Sequence, residues 1–355
     1  FSSYFVIIIE AGHNSKAFAI AYMAPVVGGF ILAYRKKPLV GSLLVAFAMA
    51  MEIYVNHLQV TYYLGLLILS LGIYFLIDFS KQGRLKEFFK ISSYLVGAVL
   101  GNQEEVERLR AENPTFFNYL VNEYQNNGNI INTYWGDQPG TSGSVYIGAI
   151  VFLLAFLAMF FVNNKLKWPI FAIAILAILL SWGKNLMWFT DIFIAVTIIM
   201  VLVELAFPFL AALFIHELIS RKSDFIANQS KLYKFIGGFL LVFLVITLVP
   251  ENFLSFTSAN EEIQFTQQSS QVNPQTVEIS RNALIDYRVD VFQKSAFGSL
   301  KYLIIAVILL VLFLKEKIQW KVIVVSLTGL VLIDLWLNDK RYVNNEKSKT
   351  GEYLA

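Results

Sequence analysis

The sequence predicts an all-α fold, a polytopic membrane helix bundle of about eleven spans with small extracytoplasmic helical loops. Three observations carry that expectation. Of 355 residues, 57% are hydrophobic and only 15% are charged, against about 25% charged in ordinary soluble domains. Aromatic residues make up 15%, and they include 17 Tyr and 6 Trp, the side chains that favour the membrane–water boundary. Apolar runs recur along the chain at lengths approaching the roughly 20 residues that cross a hydrocarbon core.

Composition also excludes several functions. The net charge is only +3, and the basic residues are scattered through short loops, unlike the concentrated basic surface of a nucleic-acid binder. No cysteine is present, which removes disulfides, thiolate metal sites and cysteine nucleophiles. Three histidines remain as candidate proton carriers or ligands. The chain opens inside an apolar run, 1–9, which reads as the tail of a span with no cleavable leader.

Taken in order, the spans fall near 17–34, 38–55, 58–78, 145–162, 168–182, 195–215, 233–249, 300–314 and 322–337. Runs 1–9 and 91–101 are too short to cross unaided. Lys and Arg gather in alternate loops: Arg35 to Lys37, Lys81 to Lys90, Asn163 to Lys167, Arg221 to Lys234 and Lys315 to Lys321. The positive-inside rule assigns these loops to the cytoplasm. The chain then divides into membrane helices over 1–101, an extracytoplasmic loop over 102–144, and membrane helices over 145–249. A second outer loop covers 250–299, the last membrane helices 300–338, and an outer tail 339–355. The first outer loop reads as helix over 102–127, the second becomes helical around Glu278 to Phe292, and Leu85, Phe88 and Phe89 predict a short interfacial helix. No heptad or solenoid repeat is legible.

Four polar clusters fall on the extracytoplasmic side. They are Glu10 with His13, Asn14 and Lys16; Glu52 with Asn56, His57, Gln59, Tyr62 and Tyr63; Tyr134, Trp135, Asp137 and Gln138; and Trp182, Lys184 and Asn185. In a continuous helix, Glu52, Asn56, Gln59 and Tyr63 would share one face. Trp and Tyr at span ends also serve as plain interfacial anchors, and a neighbouring Lys snorkels to water. Glu52 is harder to explain that way, because a carboxylate at the end of a span is costly unless it lines a cavity or joins a hydrogen-bond network. Glu204 and Asp334 lie deeper in their spans, and Glu204 precedes Pro208 by four residues. His216 beside Glu217 calls for no function. Carboxylates, cations, amides and aromatic faces on one side suit sugar recognition. A cation can stabilise a phosphate leaving group, and a carboxylate can take the proton of an attacking hydroxyl.

At these motifs the chain resembles the YfhO family of bacterial membrane proteins, especially members from the Bacteroidota. The matching stretches are Gly12 to Lys16 with Ala19 to Met23, Glu52 to Tyr63, Tyr134 to Pro139, Leu180 to Asn185 and Asp334 to Tyr342. The resemblance implies a GT-C-type glycosyltransferase in the bacterial inner membrane, taking sugar from a polyprenyl-phosphate donor on the outer side. Gram-positive relatives are linked to sugar decoration of teichoic acids; here the acceptor would be a protein or a surface glycan. Asp137 and Glu52 are then expected to act on acceptor or sugar. Lys184, His13 and Lys16 would meet the donor phosphate, and Asn14, Asn56, His57, Gln59, Tyr134, Trp135, Gln138, Trp182 and Asn185 would line the pocket. No cofactor is implied beyond this donor, and a divalent metal stays open. The family pattern also places an acidic outer loop before Phe1, further loops after Gly101 and Ile194, and an outer domain at the C-terminal end. Two other readings stand beside this one: a lipid or sugar transporter using Glu204 and Asp334, and a non-catalytic subunit of a larger, secretion-associated membrane complex.

Overall fold

The computed structural model describes residues 14–55, 58–100, 146–181, 197–257, 259–269 and 273–339. In chain order the helices are α1 (Asn14–Tyr34), α2 (Pro38–Tyr54), α3 (Leu58–Lys81), α4 (Leu85–Leu100), α5 (Ala149–Phe161), α6 (Lys167–Ser181), α7 (Val201–Ser220), α8 (Lys222–Ala227), α9 (Gln229–Leu248), α10 (Ala259–Ser269), α11 (Pro274–Leu314) and α12 (Trp320–Asp339). Short 3-10 turns at Thr197–Met200 and Pro250–Asn252 complete the described elements, which include no strand. Six helices (α1, α3, α7, α9, α11 and α12) are long and apolar enough to cross a membrane, and α2, α5 and α6 are shorter apolar helices. The chain is a helical, multi-pass membrane protein.

The described residues form two compact units. The first takes in the described part of Ile8–Gly128 together with Asn164–Phe207. Its centre is the α1–α2 hairpin, where two backbones meet without side chains between them. A Cβ on Gly41 would lie 2.3 Å from the Ala33 nitrogen and 2.6 Å from the Gly29 carbonyl oxygen. Gly29 and Ala33 stand four residues apart on one face of α1, the small-residue spacing that lets membrane helices approach closely.

Helix α4 runs unbroken from Leu85 to Leu100. The short interfacial helix and the short run 91–101 expected from the sequence are therefore one element. It docks through Phe88, Ile91 and Leu95, all buried at helical spacing, and leaves Phe89 and Val96 exposed. Tyr34 fixes the basic end of this unit. Its ring stacks on Phe75 (centroids 4.6 Å apart) and Phe88 (5.4 Å), and its hydroxyl is 2.7 Å from Ser92 Oγ.

The second unit takes in the described part of Asn129–Asn163 and Pro208–Ala355. Its longest member, α11, has 41 residues and is about 60 Å long at 1.5 Å per residue, twice the roughly 30 Å hydrocarbon core. The polar helix expected around Glu278 to Phe292 and the span expected at 300–314 are thus a single rod. Along it Phe292, Ala296, Ser299, Leu303, Ala306, Leu310 and Phe313 are buried. Their alternating steps of four and three make a heptad seam. The sequence hides this seam because its neighbours are also apolar, so the repeat is one of size and burial, not polarity.

The extramembrane part of α11 carries α10 against it. Arg281 Nη2 lies 2.8 Å from Glu262 Oε1, and Arg288 Nη2 lies 2.6 Å from Glu261 Oε1. Arg281 and Arg288 are seven residues apart and share a face, while the two glutamates occupy the first turn of α10, where the helix dipole favours negative charge. The Arg281 guanidinium, helped by the Thr257 hydroxyl, holds the Glu262 carboxyl below its usual range. At the basic end of this unit, buried Glu217 accepts from the Asn163 backbone N–H (2.8 Å) and from Arg221 Nη1 (2.7 Å).

Candidate functional site

Two buried carboxylates, one in each unit, sit at the end of a span away from the basic loops. Glu52 lies in the last turn of α2 and is 0% exposed. The chain turns at Val55 and resumes as α3 at Leu58. That reversal brings Thr61 back over Glu52, and its hydroxyl donates to the carboxylate at 2.8 Å from Oε1 and 2.9 Å from Oε2. Tyr63 is fully buried nearby in sequence, with Tyr62 more exposed and its ring 5.6 Å from that of Tyr63.

The single helical face expected to carry Glu52, Asn56, Gln59 and Tyr63 does not form. The helix breaks between Tyr54 and Leu58, so Glu52 belongs to one helix and Gln59 and Tyr63 to the next. The hydrogen-bond partner that the reversal creates is Thr61, which the sequence did not single out. Its signal was proximity: a hydroxyl nine residues from a carboxylate across a two-helix turn.

Removing a carboxylate from water costs several kcal/mol even after relaxation, while a hydrogen bond to a charged group returns about 1.5–3 kcal/mol. Among the described residues one hydroxyl reaches Glu52, fewer partners than a buried carboxylate can use.

Asp334 is buried on α12 and better held. Tyr146 donates its phenol at 2.8 Å to Oδ1 and 2.9 Å to Oδ2, and the Ala149 N–H donates at 3.2 Å. With the phenolic proton aimed at the carboxylate, Ser299 on α11 serves as donor to the Tyr146 oxygen at 3.1 Å. Ala149 is the first residue of α5, so Asp334 supplies from another helix the acceptor that an N-cap side chain would give locally. The chain enters α5 through Gly148 at φ 93°, a left-handed conformation suited to glycine. An added Cβ there would also come 3.5 Å from Asp334 Oδ2. Asp334 thus joins α5, α11 and α12.

Of the other expected site residues, Lys16 lies in α1 and is partly exposed. Asn14 opens α1 and Gln59 lies in the first turn of α3, each described through its backbone. His13, Asn56, His57, Tyr134, Trp135, Asp137, Gln138, Trp182, Lys184 and Asn185 lie outside the described residues. Glu204 is half-buried in α7, whose helix continues through Pro208, and His216 is exposed. Among the described residues no group of three or more His, Asp or Glu side chains is placed to hold a metal. Compared with protein-family models, curated proteins and solved structures, the chain finds no match.

Proposed function

We propose that the chain is the membrane part of a glycosyltransferase that takes sugar from a polyprenyl-phosphate donor at the extracytoplasmic boundary of the bacterial inner membrane. The observation that carries this reading is Glu52: a fully buried carboxylate at the end of α2 away from the basic loops, held among the described residues by one hydroxyl. In the proposed reaction the bond between the sugar's anomeric carbon and the donor phosphate breaks, and a new one forms to an acceptor hydroxyl. The acceptor's proton passes to a carboxylate, for which Glu52 and Asp137 are the candidates. Lys16 and Lys184, with His13, meet the negative charge left on the phosphate. The amides and aromatic rings of Asn14, Asn56, His57, Gln59, Tyr134, Trp135, Gln138, Trp182 and Asn185 complete the sugar pocket. A GT-C-like bundle of about eleven spans, related to the YfhO family, is the scaffold this chemistry implies.

The test is transfer of a labelled sugar from a polyprenyl-phosphate donor by the full-length protein in lipid. Transfer should fall sharply in the Lys184→Ala, Asp137→Asn double variant. Unchanged turnover in that variant sinks the assignment of both residues.

A further inference from the structure

A cavity of the first unit lies at its basic end, remote from Glu52 along α2. It has a volume of about 820 Å³, within the roughly 300–1,000 Å³ of sites that enclose small molecules. Its cationic lining is Arg35, Lys36, Arg84 and Lys90, and its acidic lining is Asp78 and Glu87. These charges are unequally committed. Arg84 grips Glu87 with two hydrogen bonds, of 2.8 and 2.6 Å. Asp78 accepts from the Gln82 amide at 2.8 Å, and Arg35 donates to Asn164 at 3.1 Å. Lys36 and Lys90 have no carboxylate within ion-pair distance among the described residues, although the Lys90 charge is felt by Glu87 one turn away. Both acids are therefore engaged, and two lysines are left facing a cavity with an excess of positive charge.

Two further features favour a built site. Lys36 has φ 136°, a strained conformation for a non-glycine residue, of the kind that concentrates at ligand sites. Much of the remaining lining is aromatic or aliphatic: Leu39, Phe75 and Ile91 share it with Tyr34, whose ring is stacked between Phe75 and Phe88. Cationic groups from the helix-connecting loops (Arg35, Lys36, Arg84) and from α4 (Lys90) line the cavity together with aromatic and aliphatic side chains. A small soluble anion would use only the first of these surfaces; a phospholipid uses both.

We propose that this cavity binds the phosphodiester head group of an anionic phospholipid, with Lys36 and Lys90 on the phosphate and the start of an acyl chain against Leu39 and Ile91. The basic loops place this end at the cytoplasmic leaflet, where anionic lipids concentrate and basic pockets between membrane helices take their head groups.

The test uses the full-length protein in neutral detergent, with bound lipid counted by native mass spectrometry. Phosphatidylglycerol should be retained and phosphatidylcholine lost. The Lys36→Gly, Lys90→Ser double variant should weaken phosphatidylglycerol binding about thirty-fold, from roughly 1 kcal/mol for each lysine near the lipid surface. Both positions are exposed, and glycine accepts the Lys36 backbone, so the fold should survive; unaltered thermal unfolding without added lipid checks this. The comparison variant is Lys81→Ser, Lys86→Ser, which removes two exposed lysines outside the cavity. Equal weakening there means a general surface-charge effect and overturns the site, as does wild-type lipid retention in the cavity variant. Displacement of the lipid by glycerol phosphate at equal concentration assigns the cavity to a soluble anion and also overturns the proposal.

Discussion

Glu52 and Asp334 are the same chemical group in similar depth of burial, yet their surroundings differ in kind. Asp334 receives a phenol and a backbone N–H, with a second hydroxyl behind the phenol. It links three helices and supplies the acceptor for a helix N-terminus. Glu52 receives, among the described residues, one hydroxyl from the next helix in the chain. A satisfied buried carboxylate holds structure in place, whereas an under-satisfied one retains capacity for a ligand. On this contrast Asp334 is a structural hub and Glu52 the candidate for chemistry. A transporter reading that relies on Asp334 would first have to undo its network.

Substitution separates the two. The largest expected effect is on activity: Glu52→Gln should lower sugar transfer about 10²–10⁴-fold, the usual contribution of a general base. The amide keeps the shape and can still accept from Thr61, so thermal unfolding in detergent should hardly move. Asp334→Ala should behave in the opposite sense. It removes the carboxylate that accepts from the Tyr146 phenol and the Ala149 N–H, and a buried N–H left without its acceptor costs about 1–3 kcal/mol. Its unfolding temperature should drop while turnover per folded molecule stays near wild type. A catalytic loss in Asp334→Ala that exceeds the loss of folded protein would erase the contrast.

Gly41→Ala asks whether the position of Glu52 depends on close helix packing. The new methyl meets backbone atoms of α1, which cannot step aside as a flexible side chain would, and overpacking of this kind costs about 1–3 kcal/mol. Stability and transfer should fall together, because α2 carries Glu52. The smallest effect concerns a carboxylate already in water. The folded value of Glu262 is depressed, so its ion pair contributes above the ordinary carboxylate range and is lost as pH falls through the folded value. Hydrogen exchange of α10, corrected for intrinsic rates, should be slow at about pH 6 and faster below about pH 4. Arg281→Gln should give the faster exchange already at the higher pH.

Membrane class and the main helices were legible because hydropathy accumulates over about 20 residues and tolerates local exceptions. The Glu52 cluster was legible because its members are close in sequence, although the break after Tyr54 redistributed them over two helices. The Asp334 network was not, since Tyr146 stands 188 residues away and nothing local announces the pair. Size patterns were also hidden. Gly29, Ala33 and Gly41, like the heptad seam of α11, are set among residues of equal apolarity, so packing distinguishes them where hydropathy cannot. The polarity change within α11 read as a boundary between elements, but a helix satisfies its own backbone hydrogen bonds in water and in lipid alike. In the sequence the lysines of the basic loops mark only sidedness. Only folding showed which of them share a cavity.

The continuity of α11 has a mechanical consequence. A single rod that leaves the bilayer without a joint is a lever: its outer arm, from Pro274 to about Lys294, is roughly 30 Å long at 1.5 Å per residue and is gripped by α10 through two ion pairs. The arm held by α10 and the buried seam are therefore parts of one helix, with no turn between them. Whatever fixes the orientation of α10 thus acts on the same helix that the second unit buries along its seam.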